Sequence, residues 1–191
     1  ARVLIEKNDV YVFATNFAFF RDKSGLHTII SSTNYWSGYG ANNAALWLCL
    51  FDESGSVIAE WEEPLGGPNE TYTIDSRVVR DRFDLEDFAG SLFMHALRIR
   101  GHDVVKYALD IFSEDGQLSC THDANAWPAD LYAGMPAPAA GEHLTLWVQN
   151  SHPVAIPSGG IGANIVGSDD IAWLDAIITP FGTFAMSVNK L

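Results

Sequence analysis

Apolar and polar residues alternate with a period of two through much of this chain. The stretch "AALWLCLFDESGSVIAEWEEP" (44–64) reads as strand, turn and strand, with Asp and Gly where a hairpin turn needs them. The stretch "VVKYALDIFSEDGQLSCTH" (104–122) repeats the design, with "SEDG" in the turn. A third stretch, "HLTLWVQNSHPVAIPSGG" (143–160), again runs from an alternating strand into a polar turn. The pattern predicts antiparallel strands joined by short turns.

Two of these segments also align with each other. "LCLFDESGSVIA" superposes on "LDIFSEDGQLSC" at an offset of about 61 residues. The match suggests two related β units. Three unrelated hairpins explain it equally well, because strand-turn-strand units resemble one another by physics alone.

Helical signal is sparse. Asp75 or Ser76 is placed to cap a helix of one or two turns through "RVVRDRF" (77–83). "SDDIAWLDAIITPF" (168–181) has the acidic start of a helix but alternates with a period of two. Its β-branched residues and the closing Pro180 favour a strand.

The sequence therefore predicts an all-β fold with minimal helix, an antiparallel β-sandwich of immunoglobulin-like or jelly-roll-like type. We assign residues 1–120 to a β-sandwich unit and residues 121–141 to an ordered connector rich in Pro and Ala, anchored by Trp127 and Tyr132. Residues 142–191 form a β-rich C-terminal segment that either stands apart or completes the same domain.

Composition narrows the range of partners. The chain has 191 residues, 48% of them hydrophobic, enough for a core without metal or disulfide support. With 11 Lys and Arg against 24 Asp and Glu, its formal net charge is −13, which argues against nucleic acid as a partner. No apolar run is long enough to insert into a membrane. We expect a soluble protein, either cytoplasmic or exported after removal of a signal. Cys49 and Cys120 carry no disulfide framework signal.

The loop "STNYWSGYGANN" (32–43) is the strongest candidate for binding. Carbohydrate sites stack aromatic rings on sugar C–H groups and use amides to hydrogen-bond hydroxyls, and this loop supplies both types. The candidate ligand-binding residues are Asn34, Tyr35, Trp36, Tyr39, Asn42 and Asn43. The alternative is that the aromatic residues cap one end of the sandwich. A protein partner fits as well, because Tyr and Trp are enriched at interfaces.

A second hypothesis is a metal-dependent hydrolase. "SCTHDANAWPADLY" (119–132) gathers reactive side chains, and the candidate catalytic residues are His122, Asp123 and Asp130. The candidate metal ligands are His122, Asp123 and His152, with His102 as a further possibility. None of them has the spacing of a known zinc motif. No cofactor is predicted, and calcium is the less favoured alternative, because "DLED" (84–87) offers oxygen ligands without the Gly-containing loop of a dedicated site.

The leading interpretation is a non-catalytic recognition module for carbohydrate or protein. The hydrolase is the alternative. A chain this apolar, with charged residues at only 18%, is also compatible with a homo-oligomer that hides part of its surface between subunits.

Overall fold

A computed structural model describes residues 14–122, 139–164, 167 and 169–187. The predicted all-β, antiparallel fold class is confirmed, with a single short α-helix in the part described. In chain order the elements are β1 Thr15–Lys23, β2 Leu26–Thr33, a 3-10 turn Tyr35–Tyr39, β3 Ala45–Asp52, β4 Val57–Pro64, β5 Thr71–Asp75, α1 Ser76–Phe83, β6 Phe88–Leu97, β7 Ala108–Ser113, β8 Leu118–His122, β9 Thr145–Gln149, β10 Gly162–Ala163, β11 Ala172–Trp173 and β12 Thr183–Ser187.

The main sheet has eight strands in two halves. Its path runs β4-β3-β6-β1-β2-β7-β8, and β5 pairs with β2 off that path. β1 and β2 pair at only two positions next to their turn, and β5 takes over beside β2 from Ile29 onward. The strands β4, β3, β6 and β1 therefore diverge from β5, β2, β7 and β8. This arrangement is consistent with sandwich-like packing.

One hydrophobic cluster draws on both halves of the sheet. Alternate residues of β3 (Leu46, Leu48 and Leu50) have no exposed surface, which is the period-two burial expected of a strand with one face in a core. They share that cluster with apolar side chains from the other strands, the 3-10 turn and α1, among them Trp36, Leu92, Met94, Ile30, Ile74, Val79 and Leu109.

The opposite face of β1, β3 and β6 is partly covered by the C-terminal segment. β9 and β12 form a separate two-stranded sheet. The Phe19 ring lies 4.8 Å from the Trp147 ring, and the Phe51 ring lies 4.9 Å from that of Phe181. Polar contacts accompany them, since the side chain of Gln149 donates to Ser91 Oγ at 2.6 Å. The C-terminal strands thus rest on the back of the sheet.

Both predicted hairpins with acidic-Gly turns are confirmed. Their turns share one hydrogen-bond pattern: Asp52 N donates to Ser56 O at 2.9 Å, and Ser113 N donates to Gln117 O at 3.0 Å. Gly55 and Gly116 both adopt positive φ, at 84° and 83°. The common turn geometry accounts for much of the internal sequence match, and two related β units remain a hypothesis.

The predicted helix is also confirmed, as α1. The side chain of Asp75 accepts a hydrogen bond from Arg77 N at 2.9 Å, so Asp75 is the cap. Asp84 closes the helix in a left-handed conformation.

Two expectations about the C-terminal segment need correction. "NSHP" does not turn β9 back on a following strand, because β9 pairs with β12 instead. Within the stretch 168–181, strand pairing of the described residues, 169–181, is limited to the two-residue β11 and one isolated bridge, between Ile156 and Ile178. Individual backbone hydrogen bonds, such as the one from Leu174 N to Ile161 O at 2.8 Å, are present here in place of a continuous ladder. Most of the predicted connector, including Trp127 and Tyr132, lies outside the described residues.

Candidate functional site

The aromatic loop between β2 and β3 is pinned to a distant part of the chain. Trp36 is fully buried, and its indole N–H donates to the carbonyl oxygen of His102 at 2.9 Å. The Tyr35 hydroxyl donates to the carbonyl of Val104 and accepts from the backbone N–H of Lys106, at 2.9 Å in the second case. These bonds attach the loop to the segment between β6 and β7.

The start of the loop is also structural. Asn34 is buried, and its side-chain amide donates to the carbonyl of Gly66 at 2.8 Å. Its backbone N–H donates to Glu70 O at 2.9 Å. Gly40 closes the turn at a φ of 81°, a conformation that favours glycine. Asn34 and Trp36 therefore lie inside the fold and do not present their side chains to a ligand in solution.

The remaining loop candidates lie at the surface. Tyr39 is 56% exposed, and Asn42 and Asn43 are exposed beside it in sequence. The Tyr39 ring packs against Gly101, where an added Cβ would come within 2.4 Å of it. The half-buried His102 ring meets Tyr39 edge-on at 6.4 Å. We call this surface, formed by Tyr39, Asn42, Asn43 and His102, the Tyr39 end.

A charged groove of about 410 Å³ lies elsewhere, between the β1–β2 turn, α1 and the β7–β8 turn. Arg80 pairs with Asp22 at 3.2 Å and with Asp87 at 2.7 Å, while Arg77 pairs with Asp75 at 2.8 Å. Burial acts to raise the pKa of Asp75, but the hydrogen bonds and charge of Arg77 outweigh it, and the pKa is lowered.

Sequence reasoning missed this groove because its lining comes from four separated segments. Only the spacing of Arg77 and Arg80 on one face of α1 was visible locally. The arginine groups are already engaged by carboxylates of the same chain, so the groove is built mainly from internal ion pairs.

Of the residues proposed for the metal centre, only some lie within the part of the chain that the structure describes. His152 is exposed beyond β9, and its backbone N–H donates to Asn150 Oδ1 at 3.1 Å. His122 is the last residue of β8, and Asp123 and Asp130 lie outside the described residues. Within the described ranges, no three His, Cys, Asp or Glu side chains are grouped so as to hold a metal ion.

The calcium candidate "DLED" has other roles. Asp84 caps α1, and Asp87 pairs with Arg80. Asp84 acts there through its backbone N–H, which donates to the carbonyl oxygens of Arg80 and Asp81, whereas Asp87 uses its carboxylate.

Neither cysteine has the character of an activated thiol. Both are free, Cys49 buried and Cys120 exposed. Burial, assisted by the charge of Glu60, raises the pKa of Cys49 from 9.0 to about 11. A hydrogen bond to Asp110 raises the pKa of Cys120. Reactive cysteines have lowered pKa values, so these environments disfavour nucleophilic catalysis by either thiol.

No protein-family model matches this chain, and neither a curated protein nor a solved structure is significantly similar to it. Among the described residues, no helix has the length and apolar character needed to cross a membrane.

Proposed function

We propose that this protein is a non-catalytic recognition module that binds carbohydrate at the Tyr39 end. The supporting observation concerns Tyr39, a residue that is 56% exposed although its ring is held against Gly101 and beside His102. A ring fixed in this way loses little conformational freedom when a sugar stacks on it, so less binding energy is spent on ordering the site. The other aromatic residues of the loop serve to hold it in place.

The polar groups beside Tyr39 complete the chemistry. Asn42 and Asn43 are exposed, and each amide offers a donor and an acceptor to sugar hydroxyls. The backbone of Asn43 is fixed by a hydrogen bond of 2.8 Å from Arg98 Nε to its carbonyl oxygen. The net charge of −13 favours uncharged glycans over anionic ones.

A glycan array followed by calorimetry on any hit tests the proposal. Tyr39→Ala should abolish binding, while Tyr39→Phe should retain most of it because the ring face remains. Trp173→Ala is the matched control, since Trp173 is also an exposed aromatic residue, at 58%, but lies in β11. The proposal fails if the wild-type protein binds no glycan, or if Tyr39→Ala binds as the wild type does. A protein ligand lost in Tyr39→Ala would replace carbohydrate as the partner.

A further inference from the structure

The two strands that end the path of the main sheet differ in how their open edges are protected. β4 carries Glu60, Glu62, Glu63 and Pro64, and a register shift interrupts its pairing with β3. β8, with the sequence "LSCTH", contains no Pro, Lys, Arg, Asp or Glu. Natural sheets protect their edges with charges, prolines and bulges, and an edge without them is a template for pairing. β4 has these features and β8 lacks them.

The backbone of β8 presents hydrogen-bonding groups to the open side. Ser113 N donates to Gln117 O at the turn, which fixes the alternation of bonds along the β7–β8 ladder. Ser119 and Thr121 therefore bond to β7, while the N–H and C=O groups of Leu118, Cys120 and His122 point away from it. No strand in the described part of the chain pairs with this side of β8. Leu118 is 54% exposed and Cys120 is exposed.

We propose that β8 pairs with β8 of a second copy of this chain, antiparallel, on a two-fold axis at Cys120. Cys120 is the middle residue of a five-residue strand, so this register pairs every residue of β8 with a residue of the second copy. The outward-pointing groups of Leu118, Cys120 and His122 then meet those of the second copy. The two Cys120 residues face each other as a hydrogen-bonded pair, for which the Cα atoms are about 5.5 Å apart. This separation lies within the range that a disulfide spans.

A second copy can approach at β8 because this strand carries no Asp or Glu. Two chains that each carry −13 repel one another over most of their surfaces, and a two-fold axis at Cys120 places the same uncharged strand on both sides of the contact. In the neighbouring strand β7, the residue that pairs with Cys120 is the acidic Asp110. The two Asp110 residues would be three strand spacings apart, roughly 14 Å, beyond the screening length of about 8 Å at physiological salt. The paired β8 strands themselves therefore bring no like charges together.

Sedimentation equilibrium over a range of concentrations is the first test. The interface is small, so we expect weak, reversible association in which the average mass rises towards that of a dimer. Cys120→Ser keeps the outward N–H and should associate as the wild type does. Cys120→Pro removes that N–H without touching the bonds from β8 to β7, and should lose association. If circular dichroism shows that Cys120→Pro does not fold, Leu118→Lys takes its place, because a Lys at the edge disfavours pairing.

Disulfide trapping tests the register. With diamide as oxidant, the two Cys120 thiols lose two electrons and two protons to the diazene and form an S–S bond. We expect a covalent dimer on a non-reducing gel that is absent in Cys120→Ser. A monomer mass at every concentration overturns the proposal. So does a dimer unaffected by the folded edge variant, or a dimer that diamide does not cross-link. These results do not depend on glycan binding.

Discussion

The indole N–H of Trp36 donates to the carbonyl oxygen of His102 across 66 residues of sequence, at a distance of 2.9 Å. This bond joins the loop before β3 to the loop after β6, and the Tyr35 ring packs against both partners. One hydrogen bond thus links two loops at the same end of the sheet. The exposed ring of Tyr39 depends on that link, because it rests on the residue next to His102.

Trp36→Ala should reduce the free energy of unfolding by about 3 to 5 kcal/mol, the usual cost of emptying a buried aromatic site. Trp36→Phe should cost about 1 to 3 kcal/mol, because it keeps most of the volume but leaves the His102 carbonyl without its donor. Urea unfolding curves give both values. Trp173→Ala is the control, since that exposed side chain should change stability little. Equal effects of Trp36→Ala and Trp173→Ala would contradict the burial of Trp36.

The features that sequence predicted correctly are local. The two hairpins and α1 are encoded within about twenty residues each, by alternation, turn residues and a capping Asp. The partner of β9 was missed because β12 lies more than thirty residues further on. Which side chains of the aromatic loop are buried could not be predicted for the same reason, since their partners are distant in sequence. Its composition suits a ligand site or a structural cap, and only the position of the segment 102–106 shows that Trp36 is buried and Tyr39 exposed.

Gly101→Ala should displace the Tyr39 ring and destabilise the loops that form the Tyr39 end. A Cβ at this position would lie 2.4 Å from the Tyr39 ring, and the φ of 82° is strained for any residue with a side chain. We expect a loss of about 1 kcal/mol or more in unfolding free energy, measured by urea unfolding. Gly38→Ala is the matched control, because an added Cβ there meets no atom within 4 Å. If Gly101→Ala and Gly38→Ala change the unfolding free energy equally, Tyr39 does not pack on Gly101 as described.

Asn150→Asp should destabilise the C-terminal segment. Asn150 is 1% exposed, and its amide nitrogen lies within 2.9 Å of the carbonyl oxygens of Val154 and Thr179. A carboxylate cannot donate to these carbonyls and would be buried beside them, so a loss of roughly 2 to 4 kcal/mol is expected.

Amide hydrogen exchange locates this effect. Protection should fall first in β9 and β12 and leave β3 and β6 unchanged. Asn42→Asp makes the same chemical change at an exposed position and should have little effect on either region. Uniform loss of protection would instead mean that Asn150 supports the whole sheet.

The buried thiol of Cys49 should make stability fall at high pH. Its pKa is about 11 in the folded protein against an ordinary 9.0, so folding favours the protonated form. The stabilisation that comes from burying the protonated Cys49 thiol is fully present below pH 9 and is lost as the pH rises through 11. The shift corresponds to as much as about 3 kcal/mol of unfolding free energy. Unfolding curves between pH 8 and pH 11 measure it.

Comparison with Cys49→Ala isolates this contribution, because Tyr and Lys residues titrate in both proteins. Cys49→Ala should be less stable than the wild type at pH 8, since it leaves a small cavity beside β4. The difference in unfolding free energy between the two proteins should narrow as the pH approaches 11, because only the wild type is destabilised by ionisation of a buried thiol. Cys120→Ser should keep nearly the wild-type dependence, since Cys120 is exposed. A constant difference between the wild type and Cys49→Ala across this range would show that the Cys49 thiolate is solvated in the folded protein.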